Sequence, residues 1–170
     1  LSPLFLILIV IGLVEMKGNP FFSQKRPGKD ERIFSLLKFR SMTNEKDKNG
    51  NLLPNEKRLN KYGRILRKTS LDELPQFINV LKNEMSMIGP RPLVLGELDQ
   101  HNGDHELYES VKPGITGWWA SHGRSDTTYE ERLDLEYYYI KNRDLNMDIK
   151  CILKTIEAVL FKTDRKSTRL

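Results

Sequence analysis

At 170 residues and 19.9 kDa the chain has the size of one ordinary domain. It carries 28 Lys plus Arg against 23 Asp plus Glu, a formal charge of +5, with 38% hydrophobic and 30% charged residues. That balance excludes both a low-complexity disordered chain and a polytopic membrane protein. A single cysteine, Cys151, excludes an intramolecular disulfide framework and fits a reducing compartment.

The apolar residues are concentrated at the start. Leu1 to Val14 is interrupted only by Ser2, Pro3 and Gly12. As a helix these 14 residues reach about 21 Å, short of the roughly 30 Å hydrocarbon core of a bilayer. The first residue is Leu rather than Met, so residues upstream are expected. Three readings compete: a spanning helix that starts upstream, a signal-peptide core, and a segment that enters the bilayer and turns back. Glu15-Met16-Lys17-Gly18 is no small-residue cleavage site, which opposes the second. Pro3 removes a backbone hydrogen bond and Ser2 can satisfy the freed carbonyl, as the third requires.

Phe21 to Lys25, the turn-rich Arg26-Pro27-Gly28-Lys29-Asp30, and Arg32 to Phe39 read as a β-hairpin. Asn44 to Lys57 is a polar loop, and short helices follow at Lys61 to Lys68 and Glu73 to Lys82. Gly89-Pro90-Arg91-Pro92 is irregular, since each proline disfavours helix at the residue before it. His101 to Gly117 reads mostly as loop. Thr127 to Lys141 and Met147 to Phe161 read as helices, and Asp164 to Leu170 as a polar tail. In the last helix Ile149, Ile152, Leu153, Ile156, Val159 and Leu160 form one apolar face, to pack on the core or lie on a membrane interface. These elements predict an α+β fold, a mostly helical small domain with a short β-hairpin.

The most informative stretch is Arg64-Ile65-Leu66-Arg67-Lys68-Thr69-Ser70-Leu71-Asp72-Glu73-Leu74-Pro75-Gln76. Ser70-x-x-Glu73 matches a capping box, but a cap there puts Pro75 one hydrogen bond short. A cap at Asp72 loses nothing, so Asp72 and Glu73 are expected at a helix start, where the dipole favours carboxylates and phosphates alike. Positive surroundings there are expected to lower the pKa of Asp72. Adjacent carboxylates behind Arg64, Arg67 and Lys68 suit either a solvated helix start or a site for Mg²⁺ and a phosphorylated ligand.

Several motifs then occur in one order: Lys38-Phe39-Arg40-Ser41-Met42, Ser70-Leu71-Asp72-Glu73-Leu74-Pro75-Gln76, Asn79-Val80-Leu81-Lys82, Met85-Ser86, Gly89-Pro90-Arg91-Pro92 and Lys112-Pro113-Gly114-Ile115-Thr116-Gly117-Trp118. Gly123-Arg124 and Asp148-Ile149-Lys150 continue the series. From Ser2-Pro3 to about Leu160 the chain closely resembles the monotopic phosphoglycosyl transferases, bacterial sugar transferases acting on polyprenyl phosphates. The resemblance implies transfer of a phosphosugar from a UDP-sugar to undecaprenyl phosphate, releasing UMP and initiating glycoconjugate synthesis. It implies Asp72 as nucleophile, Glu73 as Mg²⁺ holder, and Lys38, Arg67, Arg91 and Arg124 as phosphate-binding cations. It makes Ser2-Pro3 the break of a re-entrant membrane helix, with both ends on the cytoplasmic side of the inner membrane. The implied organisation is a membrane-embedded segment over 1–17, a cytoplasmic catalytic domain over 18–163 and a tail over 164–170.

Three positions depart from the family pattern. Ala120-Ser121-His122 stands where Gln-Val-Asn is common, Asn60 where Thr is usual, and Asn83-Glu84 where Gly-Asp is usual. Elsewhere, His101 and His105 with Asp104 suggest a metal site, but Asn102-Gly103 breaks any helix between the two histidines and opposes it. Trp118 and Trp119 suit core packing, a sugar or base platform, or the membrane edge, and Tyr137, Tyr138 and Tyr139 cannot all be buried by one helix. A basic membrane-tethered binding module without catalysis is the competing class. Such a module gains nothing from acids inside its basic patch, and no nucleic-acid motif appears, so no nucleic-acid partner is expected. A phosphatase would differ in its product, inorganic phosphate rather than UMP.

Overall fold

The computed structural model describes residues 2–122 and 127–160, with no side-chain description for 158–160. The tail over 164–170 therefore lies outside the described residues. The chain is a mixed helix-and-strand fold, about half helical, with a short antiparallel hairpin. Contacts divide it into two units, one of residues 2–23 and 37–75, the other of 24–36 and 76–160.

The first unit opens with α1 (Ser2–Glu15), which includes Pro3. Among the described residues no helix is long and apolar enough to cross a membrane. Leu8 and Met16 are buried with Phe39, Tyr62 and Leu66. The Tyr62 hydroxyl donates to the Leu8 carbonyl at 2.9 Å. Phe5 and Ile9 pack half-buried against the same core, while Leu4, Leu6, Ile7, Val10, Ile11, Leu13 and Val14 are exposed.

The strand β1 (Phe21–Pro27) and β2 (Ile33–Phe39) form the expected hairpin, longer in its first strand than the sequence reading had it. Its open end at 21–23 and 37–39 belongs to the first unit and the remainder to the second. The loop expected over Asn44 to Lys57 holds one antiparallel bridge, Lys46 to Leu52, and a single turn, α2 (Asn55–Arg58). The helix α3 (Lys61–Thr69) starts at Asn60, whose Oδ1 accepts the Gly63 N–H at 2.8 Å while Nδ2 donates to Glu15. Asn in place of the family's Thr is thus a sound N-cap. Gly63 has no room for a side chain, because a Cβ would lie 1.9 Å from the Ser41 carbonyl oxygen. That close approach seats α3 on the chain leaving β2.

In the second unit the helix expected over Glu73 to Lys82 is shorter, α4 (Gln76–Leu81). Asn83 after it adopts φ 65°, a left-handed conformation that Gly takes freely and Asn tolerates best, which accounts for the exchange against the family pattern. The strand β3 (Ser86–Ile88) was not anticipated, nor were α5 (Glu97–Gln100), α6 (His105–Tyr108) and β4 (Gly114–Thr116) within and beside the predicted loop. β3 pairs in parallel with β4, Ser86 opposite Gly114 and Ile88 opposite Thr116. A further short helix, α7 (Trp118–His122), follows.

The helix α8 (Tyr129–Asn142) starts in a reciprocal capping box, Thr128 with Glu131. Tyr139 is buried, Tyr138 exposed and Tyr137 between them, as one helix requires. In α9 (Leu145–Leu160) the buried face is Met147 and Cys151, with Thr155 bonded to Thr116 on β4 at 2.8 Å. The apolar stripe read from the sequence points the other way. Ile149, Ile152, Leu153 and Ile156 are all exposed, so this stripe does not pack on the core.

Candidate active site

Ser70 ends α3 in a left-handed conformation, φ 57°, and reverses the chain. Leu71–Glu73 then forms a single 3-10 turn, closed by Glu73 N–H to the Ser70 carbonyl and Leu74 N–H to the Leu71 carbonyl, both at 3.2 Å. Leu71 and Leu74 anchor this turn against the core of Phe39, Tyr62 and Leu66. The expectation that Asp72 caps an α-helix is corrected here. The helix begins four residues later, with Pro75 directly before it, so the proline rule holds while the carboxylates sit on the preceding turn.

Two of the predicted cations meet them. Lys38 Nζ lies 2.8 Å from Glu73 Oε1, both side chains about one-fifth exposed. Arg67 donates from Nε to Ser41 Oγ at 3.0 Å, and its position one turn after Gly63 puts it beside Ser41. Arg64 by contrast bonds the Leu59 carbonyl. Burial raises the Asp72 pKa, and the Glu73 carboxylate adds to the rise, against Lys38, the residue's own backbone N–H and Arg67. The sequence expectation was the reverse. Desolvation wins because this carboxyl is largely covered and its neighbour in sequence carries the same charge.

This donor set fits a Mg²⁺ ion. Two adjacent carboxylates repel each other, a strain that a divalent cation relieves, and Mg²⁺ commonly takes only one or two protein carboxylates beside phosphate oxygens. No group of three or more His, Cys, Asp and Glu that could hold a metal occurs among the described residues. His105 instead pairs with Asp99 at 2.8 Å, and His101 stacks on Tyr129 with ring centroids 3.6 Å apart.

Arg91 belongs to the second unit, and Arg124 lies outside the described residues. Arg91 is exposed, with its guanidinium 5.6 Å from the centroid of the Trp119 ring. Trp119 is buried, donates to Thr127 Oγ1, and also carries Arg132 over its face at 4.8 Å. Arg132 reaches Glu97 at 3.1 Å, and Arg26 donates to the Pro92 carbonyl at 3.3 Å. The altered segment Ala120-Ser121-His122 lies in α7, where His122 stacks on Trp118 at 3.8 Å.

Glu136, unremarked in the sequence, is the most buried carboxylate here, 1% exposed. Its position between Leu133 and Ile140 on one face of α8 was a legible signal: an acid inside an apolar stripe. Burial pushes its pKa from 4.5 up to about 7, against the Arg91 N–H and the Arg132 and Arg91 charges. A carboxyl raised on folding stabilises most fully below its unfolded pKa, and this is lost as pH rises through the folded value. The stability gap between wild type and Glu136→Gln should therefore shift against wild type from about pH 4.5 to about pH 7. The shift is about 3 kcal/mol at most. Thermal midpoints of both proteins across that range check this, and parallel profiles would contradict it.

The family described as bacterial sugar transferase matches residues 1–162. The uncharacterized sugar transferase EpsL of Bacillus subtilis is 45% identical over 165 residues, covering 96% of this chain and 82% of that protein. The undecaprenyl-phosphate galactose phosphotransferase of Salmonella typhimurium is 39% identical over 160 residues, 84% of this chain and 34% of that one. The UDP-N-acetylgalactosamine-undecaprenyl-phosphate N-acetylgalactosaminephosphotransferase of Aeromonas hydrophila is 39% identical over 167 residues, 94% of this chain and 40% of that one. The chain thus spans most of the first relative and less than half of the other two.

Proposed function

Since the chain belongs to the bacterial sugar transferase family, we propose that it transfers a sugar-1-phosphate from a UDP-sugar to undecaprenyl phosphate. The observation that carries this reading is Asp72 on a fixed turn, beside Glu73 and within the influence of Lys38 and Arg67. An Asp72 carboxylate oxygen attacks the sugar-bearing phosphorus. The bond from that phosphorus to the bridging oxygen breaks, and the oxygen leaves with UMP. A lipid phosphate oxygen then attacks the same phosphorus, freeing Asp72 and giving the polyprenyl diphosphate sugar. An acyl phosphate is reactive enough to pass its group on, which is what splitting the transfer into two steps requires. Glu73 would hold a Mg²⁺ ion, which would draw charge from the diphosphate. Lys38 fixes the Glu73 carboxylate, and Arg67, Arg91 and Arg124 bind phosphate oxygens.

The acceptor is a lipid, and the exposed apolar surfaces suit a bilayer. Residues 1–17 form a re-entrant segment and 18–163 the cytoplasmic catalytic domain, on the inner leaflet. A helix apolar on most faces, as α1 is, belongs in protein or lipid. The outward stripe of α9 carries Lys150 and Lys154 beside it, the pattern of a helix lying in the interface. Cysteines on the two sides of the α1 segment should both label from the cytoplasmic face. Pro3→Ala, worth about 3 kcal/mol within a helix interior, should shift the population toward spanning. Wild-type ends on opposite faces would refute the re-entrant topology.

The two relatives named for galactose and for N-acetylgalactosamine leave the sugar to experiment. A panel of UDP-sugars assayed for UMP release with undecaprenyl phosphate tests the function. UMP together with a lipid-linked sugar supports it, and inorganic phosphate as the product contradicts it.

A further inference from the structure

The backbone of Pro90-Arg91-Pro92 is tied down at every polar group the structure gives a partner. The Pro90 carbonyl accepts from Gly114 N–H at 2.8 Å, and the Pro92 carbonyl from Arg26 at 3.3 Å. The Arg91 peptide itself is held on both sides by buried side chains. Its N–H donates to Glu136 Oε1 at 2.9 Å, and its carbonyl accepts the Tyr108 hydroxyl at 2.8 Å. Both groups are costly to bury. Glu136 is 1% and Tyr108 5% exposed, and Glu136 Oε2 has no partner. Prolines on either side already restrict this backbone. Such provision for the peptide of one exposed arginine exceeds what a solvated surface cation needs.

We infer that Glu136 and Tyr108 are positioning residues that clamp the Arg91 peptide so that its exposed guanidinium is held ready for a phosphate oxygen of substrate. The clamp rests on the transfer reading above and specifies which residues aim one of its cations. A guanidinium grips phosphate through fixed parallel N–H bonds, so its direction matters more than that of an ammonium. Trp119 beneath the side chain restricts it further. The phosphate gripped is that of the donor diphosphate or of the lipid acceptor, two sources with one chemistry.

The test compares Tyr108→Phe, Arg91→Ala and the double variant. Tyr108→Phe removes one hydroxyl at nearly constant shape and should lower kcat/KM about tenfold, with a raised KM for one phosphate substrate. The double variant should be no worse than Arg91→Ala alone, because a clamp without its arginine has nothing to aim. A raised KM for the UDP-sugar assigns the donor, and a raised KM for undecaprenyl phosphate assigns the acceptor. Glu136→Gln keeps a carbonyl acceptor and should lose less than Glu136→Leu, a comparison that stands if Tyr108→Phe fails to fold. Losses that multiply in the double variant, or no KM raised, overturn the clamp while wild-type turnover preserves the transfer reading. A wild type that releases UMP from no UDP-sugar overturns both.

Discussion

Asp72→Asn is expected to lower UMP release by about a thousandfold or more while leaving the protein at least as stable as wild type. The two halves follow from one observation. Asp72 is largely covered, and burial together with Glu73 raises its pKa. A carboxyl raised on folding destabilises the folded state once ionised, so at neutral pH the neutral amide removes a cost. It also removes the attacking oxygen's charge, while Lys38 still fixes Glu73 and Arg67 stays in place to bind the donor. The variant should therefore still bind UDP-sugar. In metal-free wild type the Asp72 carboxyl should titrate above the ordinary carboxylate range. A titration at or below that range would contradict the burial of Asp72 as the governing effect.

Excess EDTA is expected to abolish UMP release, and added Mg²⁺ to restore it. Glu73→Gln should lower activity about a hundredfold or more at saturating donor. Its Oε1 lies 2.8 Å from Lys38 Nζ, so the amide keeps an acceptor for that lysine but loses the charge a divalent cation needs. Raising Mg²⁺ should recover part of the Gln variant's activity if the lost function is metal affinity. Full activity of wild type in excess EDTA would remove Glu73 from the metal.

Where apolar spacing repeats over several turns, the sequence was readable. The helices at Lys61–Thr69 and Tyr129–Asn142 and the hairpin lie close to where periodicity and turn residues put them. Four- and five-residue helices such as Glu97–Gln100 and Trp118–His122 were not, since one turn is too short to show a period and is held by its surroundings. The parallel pairing of Ser86–Ile88 with Gly114–Thr116 joins distant segments through backbone contacts that no local pattern announces. At the candidate site, the motif residues Lys38, Arg67, Asp72 and Glu73 do come together. The local environment of Asp72 was misread. Charge counting along the chain saw cations nearby but could not see Leu71 and Leu74 drawing the turn toward the core and out of water. The α9 stripe shows the same limit: spacing found the apolar face, and only the fold tells which way it points.

The central claim is a covalent phosphosugar on Asp72, and intact-mass measurement after mixing protein with UDP-sugar alone tests it most directly. Without lipid acceptor, wild type should release one burst of UMP and gain the mass of the phosphosugar. Peptide mapping should place that mass on the segment containing Asp72, Asp72→Asn should show neither burst nor adduct, and undecaprenyl phosphate should discharge the wild-type adduct. UMP release only when both substrates are present, with no adduct at any time, would contradict the account, as would an adduct mapped to another residue.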